Sequence, residues 1–89
     1  YGTIRMHQER EFPGRVSGSD LFNPDFVALA QAHGWLAEKV VSTSQFASAL
    51  DRALSAERPV LLHLKLDADI ITSRTTLTAL RKAALARVK

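Results

Sequence analysis

At 89 residues the chain has room for one small domain with a thin core. A hydrophobic fraction of 46% and a charged fraction of 24% are ordinary globular values and exclude a disordered tail. The net charge is only +3 and there is no cysteine, so a disulfide scaffold, thiol catalysis and thiolate metal sites are excluded; such cysteine usage fits a cytoplasmic location.

Tyr1 and Gly2 open the chain without an initiator Met or a signal-peptide pattern. The abrupt start gives the expectation that the chain is a piece of a larger protein. No apolar run approaches the length needed to cross a membrane, so no membrane partner is expected. Thr3–Glu11 is rich in Arg, Met, Gln and Glu and predicts a helix. Its apolar positions are few, chiefly Ile4 and Met6, so the helix reads as the wall of a site or interface rather than as core. Pro13, Gly14, Gly18 and the serines make the following stretch a loop.

Asn23-Pro24-Asp25 reads as a helix start, with Asn23 able to cap and Pro24 suited to the first turn. Phe26, Leu29, Ala30 and His33 share a face, and Gly34 stops the helix. Trp35–Val41 predicts a short strand. Ser42 with Gln45 matches a capping box, and Phe46, Ala49, Leu50, Ala53 and Leu54 mark a strong amphipathic helix.

The stretch from Arg58 to Asp69, RPVLLHLKLDAD, is the densest apolar run. Leu62, Leu64 and Leu66 alternate with His63 and Lys65, which is the period of a strand. Strand, helix and strand over residues 35–66 form a βαβ unit, so the strands are expected to be parallel. A turn at 67–73 precedes a last helix expected over 74–87, burying Leu77, Leu80, Ala84 and Leu85. Two parallel strands make too small a sheet to stand alone. The predicted fold is therefore α/β, as the C-terminal part of a doubly wound parallel-sheet domain with flanking helices.

Chemistry-bearing residues are sparse. His7, His33 and His63 lack the spacing of a zinc site, and Asp67-Ala68-Asp69 lacks the Gly and distal Glu of a calcium loop. The terminal basic residues Arg74, Arg81, Lys82, Arg87 and Lys89 lie apart from the aromatics, so a solvated helix face is expected there and no nucleic-acid partner. No serine sits in a nucleophile elbow. The helix start at Gly2 and Thr3 offers free N–H groups suited to an anion, although on residues alone a simple turn is the plainer reading.

The run YGTIRMHQEREFPGRVSGSDLFNPDF, then LAQAHGW, then the βαβ unit ending in RPVLLHLKLD, resembles the C-terminal end of thiamine diphosphate-dependent enzymes. Within them it is most similar to the acetolactate synthase and benzoylformate decarboxylase group. The resemblance covers nearly the whole chain. It implies the C-terminal portion of the cofactor-binding domain: residues 1–12 as cofactor-proximal turn and helix, 13–22 as loop, 23–34 as helix, 35–66 as the βαβ unit and 74–87 as C-terminal helix. It implies thiamine diphosphate and magnesium as cofactors, with the metal-binding Asp and Asn outside this chain. Tyr1, Gly2 and Thr3 are implied to lie against the diphosphate, and Thr3 and Ile4 against the substrate pocket. The helix from Arg5 to Glu11 is implied to line the entrance. No catalytic or metal-binding residue is assigned.

The function so implied is carboligation or decarboxylation of 2-oxo acids by a larger enzyme, with this piece inactive alone. Partners are then the rest of the enzyme, its homo-oligomer and the 2-oxo acid. Exposed sheet edges lead to the expectation that the piece self-associates. The competing reading is a non-enzymatic α/β interaction module.

Overall fold

The structure is a computed structural model that describes residues 1–87; Lys89, counted above among the terminal basic residues, lies outside the described residues. The chain divides into two compact units. One joins Tyr1–Phe22 to the segment from Asp67 onward, and the other is Asn23–Leu66.

In the first unit, α1 (Gly2–Glu11) packs against α4 (Leu77–Arg87). α1 ends where Phe12 leaves helical geometry, its N–H still reaching the Gln8 carbonyl at 2.7 Å, and Pro13 prevents continuation. α4 begins three residues later than Arg74, the start expected from sequence. Thr76 and Asp69 set that start. The Thr76 hydroxyl accepts from Ala79 N–H at 3.1 Å, and Asp69 accepts from both the N–H and the hydroxyl of Thr78, at 3.0 and 2.9 Å. With the helix starting at Leu77, Leu77 and Ala84 form its buried stripe, Leu80 is half-buried, and Leu85 turns outward at 52% exposure. The expectation of a buried Leu85 is thus corrected: it sits about 100° around the helix from Ala84.

The second unit holds α2 (Phe26–Ala32), β1 (Leu36–Val40), α3 (Thr43–Ser55) and β2 (Val60–Leu64). β1 and β2 pair in parallel from Leu36 opposite Val60 to Val40 opposite Leu64. Bonds from Leu36 N–H to Pro59 O and from Lys65 N–H to Val40 O extend the ladder at either end. The helices take opposite faces. Arg52 of α3 bonds Glu38, whereas Phe26 of α2 meets His63 edge-on, with ring centroids 5.6 Å apart. Side chains alternate along a strand, so Leu36, Glu38 and Val40 face α3 while Ala37 and His63 face α2. A parallel pair covered on both sides is the doubly wound α/β arrangement the sequence predicts. The core is built of small residues: Ala30, Ala37, Val40 and Ala49 are buried.

Two details of this unit differ from expectation. Asp25, rather than Asn23, caps α2: its backbone is extended and its carboxylate accepts from Ala28 N–H at 3.0 Å. In the expected capping box, Ser42 occupies the cap position but its hydroxyl turns to Ser44, while Gln45 reaches Val41 N–H at 2.9 Å. The apolar stripe of α3 is also wider than the sheet beneath it. Only Ala49 is fully covered, and Leu54 is 77% exposed, because two strands present too narrow a surface.

Candidate functional site

Tyr1, Gly2, Thr3 and Ile4 form the mouth of α1. Tyr1 is the cap residue, and its carbonyl accepts from Arg5 N–H at 2.8 Å, but no side chain caps the helix. The N–H groups of the first turn therefore point out of the helix end without a side-chain acceptor among the described residues. The first turn carries no acidic residue that would compete for them. Tyr1, Thr3 and Ile4 are exposed. Beneath them lies Ile71: a Cβ on Gly2 would come within 2.6 Å of its Cδ1, so the backbone here runs unusually close to a neighbouring side chain.

The polar face of α1 holds the loop that follows it. Arg5 Nε donates to Ser19 Oγ at 3.0 Å and its guanidinium pairs with Asp20. Ser19 Oγ donates to Gln8 Oε1 at 2.7 Å, and Gln8 Nε2 reaches Ser17 O at 2.6 Å. Ser19 is buried by this network.

Glu9 is the residue that sequence reasoning missed. It lies on a helix whose composition reads as too polar for the core, yet it is fully buried. Arg81 of α4 grips it with both arms of its guanidinium, Nε donating at 2.9 Å, and Gly14 N–H donates at 3.0 Å. The Arg81 hydrogen bond holds the Glu9 carboxyl down at about 2, against the opposing effect of burial; Gly14 N–H and the positive charges of Arg81 and Arg5 add to the lowering. No local signal marks this pair, since the partners are 72 residues apart.

The remaining candidates have structural roles. Asp67 accepts from Asp69 N–H at 2.9 Å in a tight turn, and Asp69 is engaged at the start of α4. His33 closes α2, and His63 is half-buried beneath Phe26. An apolar cleft of about 340 Å³ opens at the C-terminal ends of β1 and β2, between Val40, Phe46 and Leu64, with Ser42, Thr43 and Lys65 also on its lining. Among the described residues no group of three or more His, Asp or Glu side chains is placed to hold a metal.

By its fold the chain is of the α/β class, and the acid-free, uncapped mouth of α1 leaves N–H groups of a kind suited to an anion. Comparison with known proteins narrows the class. Residues 1–64 match the thiamine pyrophosphate enzyme, C-terminal TPP binding domain, and the chain belongs to that family. It is also similar to the acetolactate synthase isozyme 2 large subunit of Escherichia coli (strain K12), at 37% identity over 67 residues. That alignment covers 74% of this chain but 12% of the relative, so the chain spans a small part of that protein's length.

The donor set fits the diphosphate end of the family's cofactor: several N–H groups at a positive helix end, with no acid in the first turn. It does not fit magnesium, for which this mouth has no carboxylate.

Proposed function

We propose that the chain is the diphosphate-holding part of a thiamine diphosphate-dependent enzyme that acts on 2-oxo acids, by acetolactate synthase-like carboligation or by decarboxylation. The observation that carries this reading is the family match over residues 1–64, which includes the open helix mouth. The amides of Tyr1, Gly2 and Thr3 hold the diphosphate, and the dipole of α1 favours its charge. Thr3 and Ile4 wall the pocket in which the substrate sits; Ile4, 51% exposed, offers apolar surface there.

When bound, thiamine diphosphate supplies the carbanion chemistry that cleaves and forms bonds beside a 2-oxo acid carbonyl. This chain binds and orients, and contributes no general acid, base or metal ligand. Magnesium ligands come from the rest of the enzyme, as do the other walls of the pocket. The partners in this reading are that remainder, a homo-oligomer of the whole and the 2-oxo acid. The location is the cytoplasm. The chain on its own self-associates through its uncovered strand edges.

The 89-residue chain alone, supplied with pyruvate, thiamine diphosphate and magnesium, is expected to release no carbon dioxide, whereas the intact enzyme does so. Turnover by the chain alone, or none by the intact enzyme with any 2-oxo acid, contradicts the proposal.

A further inference from the structure

The helix proposed to face the cofactor has almost no apolar face to hold it in place. Its anchor is Glu9, fully buried and gripped by Arg81. About 10 Å back along the helix axis, the backbone at Gly2 rests on Ile71. Both props, Ile71 and Arg81, come from one stretch beyond residue 64, outside the part of the chain that matches the family. Asp69 ties that stretch together by binding Thr78 at the start of α4.

We infer that Arg81 is a positioning residue: acting through Glu9, it fixes the direction in which the mouth of α1 presents its N–H groups to the diphosphate. The inference rests on the proposed function for the ligand and on the structure for the mechanism. A bidentate fork on a buried carboxylate fixes orientation as well as position, since its two parallel bonds resist rotation. The third donor, Gly14 N–H, comes from the loop that follows α1, so loop, helix and α4 share one carboxylate. A lysine at position 81 would keep the charge but lose the fork.

The test uses the intact protein and two probes, thiamine diphosphate and thiamine, with affinities read by calorimetry. Arg81→Met is expected to weaken thiamine diphosphate about tenfold, within the usual range of coupling between sites, and to leave thiamine within about twofold. Arg81→Lys recovers part of the loss. Unchanged thiamine diphosphate affinity in Arg81→Met overturns the inference, and so does equal weakening of both probes, which marks a merely structural role. A measurement on the unmodified protein covers the case in which the variant fails to fold. Thiamine diphosphate is expected to slow hydrogen exchange at the Gly14 amide, because binding and the Glu9 grip are linked; unchanged exchange overturns the inference. If the unmodified protein binds no thiamine diphosphate, the proposed function fails and this inference with it. If it binds normally and only the Arg81 results fail, the proposed function stands.

Discussion

Gly2 and Glu9 are the two residues on which the proposed site turns, and each has a separable physical test. A methyl at position 2 is favoured by helix propensity by up to ~1 kcal/mol. It also points at Ile71 Cδ1, 2.6 Å away, so Ile71 must move. Gly2→Ala is therefore expected to weaken thiamine diphosphate binding roughly fivefold, equivalent to ~1 kcal/mol. Ile71→Val removes the obstructing atom, and the double variant is expected to regain most of the affinity in a double-mutant cycle. A loss that Ile71→Val leaves untouched would mean the methyl meets the ligand instead.

For Glu9 the prediction concerns pH. Its carboxyl is held at about 2, below its ordinary 4.5, chiefly by the Arg81 hydrogen bond, with Gly14 N–H and the charges of Arg81 and Arg5 assisting. A depressed carboxylate contributes stability above its unfolded pKa and loses it as pH falls through the folded one. Stability is expected to decline between about pH 4.5 and 2, followed by circular dichroism, and Glu9→Gln to flatten that decline. Asp69, also lowered by its bonds to Thr78, leaves a residual slope of the same sign. An unchanged profile in Glu9→Gln would place the acid sensitivity elsewhere.

Among the elements, legibility followed the range of the forces involved. α3 was plain because Phe46, Ala49, Leu50 and Ala53 repeat at helical spacing, and β2 because leucines alternate with His63 and Lys65. The parallel pairing followed from the crossover. Helix starts were read less well, because several residues compete for one cap. Asp25 won over Asn23, and Thr76 with Asp69 shortened α4 by three residues. Asp25→Ala is accordingly expected to destabilise α2 by ~1 kcal/mol, seen as a lower thermal midpoint, whereas Asn23→Ala changes little. The reverse order would restore Asn23 as the cap. α1 was recognised as a polar helix outside the apolar core, but the burial of Glu9 on it was not foreseen. A carboxylate on a polar helix is buried when its charge finds a partner, and Arg81 lies at the other end of the sequence.

On the scale of the whole molecule, the family was legible from the order of segments rather than from any one motif. The opening YGTI, the segment NPDFVALAQAHG and the closing strand identify it together, and the match over residues 1–64 agrees. The clamp on α1 was not legible, because it is made by side chains on separate elements and depends on the folded structure. The central claim is that the first turn of α1 holds a diphosphate. It is tested most directly by labelling Tyr1, Gly2 and Thr3 with nitrogen-15 in the intact protein and titrating with thiamine diphosphate. The account predicts that these amide resonances shift and gain exchange protection as the ligand saturates; saturation with all three unmoved would contradict it.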